Sequence, residues 1–358
     1  MVYKAPLPRQ KRNVLIVTPY RSYPGGVETF NQNLCTILRQ DGRSVRFITL
    51  AVVKRFKRRS LLIRILASIF PDVILFSMIL SSYSLRRRHD KPFVIANGEF
   101  GVVIRRTDAT VFHGSPFAVH RNSLLTNTRA FLSALRLHIL HLLAMMNSRH
   151  KITLTATSRH ELMSVGINCG LTIPHCLIDT RKKLDSTILP IKSACQYVVL
   201  GSSDFWRKGF DIIDAISEFH EPVDVYCSNK PPFMNLRWRG YLSRQEISNV
   251  LSQYRVLLLP SRFEALPFAI LEAFSCGVPV VMSNVGYGRE LRRTVPEFVV
   301  DISSMNTREA AAAFSEAALV ITRNWDHFSR IAHEIFFLDF SPSAFLANWS
   351  SLIDGDPA

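Results

Sequence analysis

Two carboxylates, Glu264 and Glu272, stand eight positions apart in Ser261-Arg-Phe-Glu-Ala-Leu-Pro-Phe-Ala-Ile-Leu-Glu-Ala-Phe-Ser-Cys-Gly-Val-Pro-Val-Val281. The run before them, Arg255-Val-Leu-Leu-Leu-Pro260, has the character of a buried parallel strand. After Pro267 the apolar spacing is helical up to Cys276, Gly277 serves as a helix stop, and Val278-Pro-Val-Val281 begins the next strand. Glu264 is thus expected in a loop at the carboxyl end of a strand, where open α/β sheets place their ligands. Glu272 is expected about two turns into the helix behind it. As isolated acids the two would be ordinary surface groups near a helix start, where the helix dipole favours negative charge.

A second place for chemistry lies near the beginning. Asn13-Val-Leu-Ile-Val17 reads as a strand, and Thr18-Pro-Tyr-Arg-Ser-Tyr-Pro-Gly-Gly-Val-Glu28 leads into an amphipathic run through Leu38. Strand, glycine-containing loop and helix open a Rossmann-like unit. Gly25 and Gly26 let a backbone approach a ligand, and the following helix start favours anions. The spacing is not that of a dinucleotide fingerprint, so no nicotinamide cofactor is inferred. Further along, Asp108-Ala-Thr-Val-Phe112 precedes His113, which places an imidazole at a strand's carboxyl end, where it can hydrogen-bond a ligand.

The string around the two acids resembles the Glu-x7-Glu motif of retaining glycosyltransferases with two facing Rossmann-like domains, the GT-B fold, and glycosyltransferase family 4 above all. Glu-Ala-Leu-Pro at 264–267, Leu-Glu-Ala at 271–273 and Cys-Gly-Val-Pro-Val-Val at 276–281 follow that family's pattern. The resemblance implies that Glu264 contacts hydroxyls of a donor sugar and that Glu272 binds the ribose hydroxyls. It also implies that the amides of Leu266, Phe268 and Ala269 approach the sugar and the diphosphate. Pro267 has no amide hydrogen and only shapes the loop. Gly25-Gly26 is similar to the family's Gly-Gly-x-Glu loop beside the diphosphate and acceptor, and His113 matches a histidine close to the transferred sugar. The family's Gly-Arg after the first strand of the second domain is altered here, because Ser202 follows Gly201, while Lys208-Gly209 persists. Arg207 can supply the missing cation, since guanidinium and ammonium groups both suit phosphate oxygens. The family's Pro-Asn-Gly-Val-Asp string is replaced by Ile173-Pro-His-Cys-Leu-Ile-Asp179.

The elements that must position these residues fit two α/β domains. The chain has 358 residues, beyond the size of a usual single core. The expected division is an acceptor-side domain over 1–180 and a nucleotide-sugar domain over 181–341. A terminal helix over 342–358 is expected to return to the first domain, and Thr180 to Ser193 is the best linker. Leu61 to Leu80 contains Arg64, Pro71 and Asp72, so it reads as a short helix and a strand at 73–76 rather than a membrane span. Phe131 to Met146 reads as a core or cleft-lining helix in preference to a membrane insert, with a lipid-facing role as the alternative. Ile152 to Thr157 reads as a strand, with Ser158 opening the next helix.

Charge is distributed unevenly. The formal net charge is +16, and residues 1–180 carry 26 Lys and Arg against 8 Asp and Glu. The densest clusters are Lys54-Arg-Phe-Lys-Arg-Arg59, beside apolar Leu61-Leu-Ile63, and Arg86-Arg-Arg88. A basic run next to an apolar helix suits docking on an anionic membrane surface, in preference to a merely solvated face. No nucleic-acid recognition motif accompanies it. The six cysteines lack paired spacing and read as reduced thiols. The polar, basic N-terminus lacks a signal-peptide core, so a cytoplasmic protein, peripheral on a membrane's cytoplasmic face, is expected.

These readings converge on transfer of a hexosyl group from a nucleotide-diphosphate sugar to a glycan or lipid-linked acceptor. The family resemblance implies retention of configuration; no convincing Asp-x-Asp metal site is present, so no metal is assigned, and no cofactor beyond the donor substrate is expected. A nucleotide-sugar epimerase or hydrolase, or a non-catalytic nucleotide-sugar-binding protein, are the alternatives.

Overall fold

The structure, a computed structural model, describes residues 11–18, 26–49, 92–102, 107–114, 128–178, 196–201, 204–219 and 223–355. The basic clusters at 54–59 and 86–88, the expected strand at 73–76, Gly25, Ser202, Asp179 and the linker from 180 to 193 lie outside these residues.

The chain divides into two compact units. The first comprises Met1–Thr153, Leu162–Leu171 and Leu346–Ala358, and the second Leu154–Glu161 and Thr172–Phe345. The chain therefore crosses between units at Thr153, returns at Leu162 and leaves again after Leu171.

In the first unit, strands β1 (Val14–Val17), β2 (Val45–Ile48), β3 (Phe93–Asn97), β4 (Thr107–Phe112), β5 (Ser148–Thr153) and β6 (Leu171–Thr172) form one sheet in the order β2-β1-β3-β4-β5-β6. Pairing is parallel from β2 through β5. Parallel strands are buried on both faces by crossover helices, hence apolar runs such as Val-Leu-Ile-Val in β1. Helix α1 (Gly26–Gln40) follows β1 and buries Phe30, Leu34, Ile37 and Leu38. Helix α2 (Thr128–Asn147) precedes β5. Its Ala144 joins Phe112, Leu162, Ile167 and Cys169 in a buried cluster.

The second unit repeats the plan. Strands β7 (Tyr197–Leu200), β8 (Asp224–Tyr226), β9 (Arg237–Gly240), β10 (Val256–Leu259), β11 (Val280–Ser283) and β12 (Val299–Val300) pair in the order β12-β11-β10-β7-β8-β9, all parallel. The order reverses direction at β7, so the loops after β7 and β10 diverge and leave space at the carboxyl edge. Helices α4 (Phe210–Phe219), α5 (Arg244–Leu251), α6 (Phe268–Ser275), α7 (Gly288–Thr294), α8 (Thr307–Arg323) and α9 (Trp325–Ile335) follow in this unit, after α3 (Ala156–Ser164).

The final helix, α10 (Pro342–Asp354), begins in the second unit, and from Leu346 onward it belongs to the first. There the fully buried Trp349 packs with its ring 6.2 Å from that of Phe30. Arg43, itself buried, grips Asp354 with both terminal nitrogens at 2.8 and 2.6 Å.

Three local expectations are corrected. The strand expected over 152–157 is β5, which ends at Thr153, and Ser158 lies inside α3 rather than opening it. Thr155 caps the helix instead: its hydroxyl oxygen accepts the Ser158 amide at 2.9 Å, and Ser158 loses the role because the helix starts three residues earlier. Glu272 sits just over one turn into α6, since that helix starts only at Phe268 behind the Pro267 bend. Helix α2 is not simply a core helix. Leu132, Ile139, Leu143 and Met146 are 57%, 49%, 43% and 75% exposed.

Candidate functional site

The carboxyl end of β10 organises the second unit's site. Pro260 ends the strand, and the chain turns through Glu264 to α6. On one side the loop meets the segment after β7. Gly209 takes φ +70°, and a Cβ there would lie 2.1 Å from the Pro260 carbonyl oxygen. The Gly of Lys208-Gly209 is therefore a packing requirement as well as a turn. Arg262 fastens the two loops: its amide donates to the Arg207 carbonyl at 2.8 Å, and its guanidinium donates to Asp211 at 2.7 and 2.6 Å. The same guanidinium lies 5.0 Å from the Trp206 ring centre.

This stitching brings three of the expected residues together. Lys208 Nζ donates to Glu264 Oε1 in an ion pair, and Arg207 Nη1 stands 3.8 Å from the same oxygen. Arg207 also holds Asp204 through Nε at 2.9 Å, so it is not a solvent-directed arginine. Lys208 and Glu264 are only 15% and 11% exposed at the side chain. Two cations and a carboxylate on adjacent loops thus share one partly desolvated spot, where charge-assisted hydrogen bonds are stronger than in water.

Beyond Glu264 the loop is pinned from its other side. Gly286, at φ +51°, lies under it, and a Cβ there would come within 2.1 Å of the Glu264 carbonyl oxygen and 2.3 Å of that of Ala265. The Tyr287 amide donates to Ala265 O at 2.8 Å. Helix α6 then begins with Pro267 as N-cap and no side-chain cap. Among the described residues no partner meets the amides of Leu266, Phe268 and Ala269, which leaves the positive end of the helix dipole available to an anion. Phe268 stacks on His175, with ring centres 4.6 Å apart and an interplanar angle of 26°. The altered Ile173-Pro-His-Cys string therefore delivers a buried imidazole to the first residue of α6.

Glu272, on the same helix, shares no hydrogen bond or ion pair with the Lys208 cluster. Burial pushes its carboxyl up to about 7, with the positive charge of Arg244 opposing the shift. It is thus poised near neutrality between a hydroxyl donor and an acceptor-only carboxylate.

In the first unit, His113 follows β4 as expected. Its Nε2 and Asn97 Oδ1 are 2.8 Å apart. Asn97 Nδ2 donates to Asn31 Oδ1 at 2.9 Å, and Asn31 Nδ2 donates to Thr18 Oγ1 at 2.9 Å. With both amides oriented this way, Asn97 Oδ1 can only accept, so Nε2 carries the imidazole proton. Thr18, Asn31 and Asn97 are buried, and they link the ends of β1 and β3 with α1. Burial lowers the His113 pKa to about 4, with Glu99 opposing and His141 reinforcing the shift, so the ring is neutral at neutral pH. Gly26 is the first residue of α1, and a Cβ there would meet nothing within 4 Å.

Asn97, Asn31, Arg262, His175 and Gly286 escape a reading of the sequence. The one visible signal was Gly286-Tyr-Gly288 directly after a strand, two glycines where a backbone must approach closely. Among the described residues no group of three or more His, Cys, Asp or Glu side chains is placed to hold a metal ion. No helix of the described residues is long and apolar enough to cross a membrane.

Residues 226–320 match the family model described as glycosyl transferases group 1. Two curated relatives from Escherichia coli align over short segments. UDP-Gal:alpha-D-GlcNAc-diphosphoundecaprenol alpha-1,3-galactosyltransferase is 35% identical over 77 residues, 21% of this chain and 20% of the relative. O-antigen chain mannosyltransferase B is 38% identical over 66 residues, 18% of this chain and 16% of the relative. The chain thus aligns with a fifth or less of either relative's length. Solved structures match over nearly all of it. Sucrose-phosphate synthase of Thermosynechococcus elongatus superposes with a TM-score of 0.70 at 13% identity, over 96% of this chain and 99% of that one. WaaG, a glycosyltransferase of lipopolysaccharide biosynthesis, gives 0.66 at 14% identity over 96% and 100%. HepE of Anabaena, in complex with UDP and glucose, gives 0.65 at 15% identity over 96% and 100%. At such identities these likenesses speak for the fold. Residues 226–320 are thus similar to the glycosyl transferases group 1, and the two parallel α/β units have the GT-B fold of these solved structures.

Proposed function

We propose that the protein is a retaining glycosyltransferase that moves a hexosyl group from a nucleotide-diphosphate sugar to a glycan or lipid-linked acceptor. The reaction takes place at the cytoplasmic face of a membrane, in the synthesis of a cell-surface polysaccharide or glycolipid. The observation that carries this reading is the convergence of Lys208 and Arg207 on Glu264, beside the uncapped first turn of α6. A diphosphate needs fixed positive charge and a sugar needs hydroxyl acceptors, and both are supplied within one loop pair. The relative named for UDP-Gal and a diphosphoundecaprenol-linked acceptor, and the one named for an O-antigen chain, favour an acceptor of lipid-linked or O-antigen type.

On donor binding, Lys208 exchanges Glu264 for a diphosphate oxygen, and the amides of Phe268 and Ala269 face the same group. Glu264 then accepts from sugar hydroxyls and Glu272 from the ribose. The bond between the anomeric carbon and the diphosphate oxygen breaks, and the acceptor oxygen bonds to that carbon on the leaving-group face. The acceptor's proton passes to the departing phosphate. Lys208, Arg207 and the amides stabilise the charge that grows there, so the leaving group needs no metal in this reading. Neutral His113 hydrogen-bonds the sugar or the acceptor.

The test is thermal stabilisation by a panel of nucleotide sugars, followed by transfer to a lipid-linked acceptor, because a bound donor raises the melting temperature. A saturating panel without any shift would overturn the reading. Release of free sugar or an epimer without acceptor would replace it by a hydrolase or epimerase.

A further inference from the structure

Helix α2 carries apolar side chains on the face that the described residues leave open. Leu132, Ile139, Leu143 and Met146 recur at helical spacing, so with Arg136 they share one stripe about 20 Å long. All five are exposed, while Ala144 and His141 face inward and are buried. A helix apolar all round is ordinarily buried, and this one is covered on one side only. Contiguous exposed apolar surface of this kind marks an interaction site.

Charge identifies what lies against it. Not one Asp or Glu occurs between Asp108 and Glu161. At the C-terminal end of α2 the stripe runs into a surface pocket of about 400 Å³. Met145 and Met146 line it together with Arg149, His150 and Lys151, while Arg149 is exposed and Lys151 half-buried. Asp108, the acid that acts on His150, is already engaged by Arg12 at 3.6 Å and by the Val94 amide at 2.9 Å. An apolar stripe with one arginine on it, ending in a cationic pocket, matches the order of a bilayer surface: acyl chains, then anionic headgroups. A second copy of the chain fits less well, because a two-fold contact across the stripe buries two copies of Arg136 while α2 carries no acid to pair them.

We propose that the exposed face of α2 docks on an anionic phospholipid bilayer, with Leu132, Ile139, Leu143 and Met146 in the interface and Arg149 and Lys151 on headgroup phosphates. The proposal extends the membrane-side acceptor reading above, yet it is independent of the donor chemistry.

The test is sedimentation of the full chain with phosphatidylcholine vesicles, with and without phosphatidylglycerol. Hydrogen exchange of peptides over 132–147 is followed in parallel. The wild type is expected to sediment only with the anionic vesicles and to gain protection over those peptides. The double variant I139E/L143E is expected to lose at least about tenfold in partitioning, because each new charge must enter the interface. Its melting temperature and its stabilisation by donor stay unchanged. Three outcomes would overturn the proposal: unaltered vesicle binding of the variant, a wild-type dimer in vesicle-free solution that the variant abolishes, or a large fall in the variant's melting temperature, which would mean that this chain covers the face itself. Donor-induced stabilisation in the same samples reports on the transferase reading separately, so the two can fail independently.

Discussion

A Cβ on Gly286 would lie 2.1 Å from the carbonyl oxygen of Glu264. The loop that carries the candidate sugar-binding carboxylate is therefore shaped by a residue beyond the next strand. Gly209 does the same from the other side, against Pro260. The glutamate's position is set by two close backbone approaches, and any side chain at either glycine would displace it.

Gly286→Ala is accordingly expected to destabilise the chain by about 1–3 kcal/mol, from its left-handed backbone alone, with the clash adding to this. Donor-induced stabilisation should vanish with it. Gly26→Ala is the contrast, since its Cβ meets nothing within 4 Å. There the melting temperature should hold, and any loss of transfer reports on ligand approach. A Gly286→Ala protein that melts like wild type would refute the packing argument.

Glu264→Gln keeps the shape of the side chain and removes the charge beside Lys208 and Arg207. Transfer is expected to fall by about 10²–10³-fold, the range for losing one group that stabilises developing charge. The melting temperature should fall as well, because Gln leaves Lys208 and Arg207 as neighbouring cations in a largely buried spot. Steady-state kinetics with donor and acceptor decide it, and an unaltered kcat/KM removes Glu264 from the site.

Glu272 predicts a pH dependence. Its folded pKa of about 7 lies above the ordinary carboxyl value. Its neutral form is thus favoured by folding, and that contribution is lost as pH rises through 7. Glu272→Gln should therefore raise the melting temperature at pH 8 and change it much less at pH 5.5. Ribose binding through the carboxylate has the opposite sense: donor affinity of the wild type should weaken by about tenfold from pH 8 to pH 6. Titration calorimetry at the two pH values checks this, and a pH-independent dissociation constant contradicts it.

Asn97 holds His113 in the Nε2–H form, so Asn97→Asp puts an anion 2.8 Å from that nitrogen. The His113 pKa is expected to climb from about 4 toward or past the ordinary histidine value. In the wild type the neutral ring contributes stability above pH 6.5 that is lost as pH falls toward 4; in the variant this loss should shrink as the folded pKa approaches 6.5, and reverse in sign once it passes that value. Imidazole nitrogen shifts by NMR read both tautomer and pKa. Asn97→Leu, which removes the Asn97 hydrogen bonds to Asn31 Oδ1 and His113 Nε2, should cost about 1–3 kcal/mol. An unmoved His113 titration in Asn97→Asp would show that the relay does not govern the ring.

The sequence by itself determined a good deal. Short apolar runs stopped by a turn residue, such as Val256-Leu-Leu-Leu259 before Pro260, suit strands buried on both faces, and their alternation with helical spacing calls for parallel sheets. Turn residues placed His113 and Glu264 at strand ends, because local backbone preference suffices for that. Tertiary structure decided the rest. The pairing of Lys208 with Glu264 depends on β7 and β10 lying side by side, and Gly286 lies under the glutamate loop because β11 is the next neighbour. Such approaches arise from strand order, which no local pattern encodes. Thr155 rather than Ser158 caps α3 because the end of β5 sets where that helix starts. A helix over Phe131 to Met146 was likewise legible, but only packing showed that Leu132, Ile139, Leu143 and Met146 are left exposed by the described residues, since a hydrophobic pattern tells which residues turn together and not what lies opposite them.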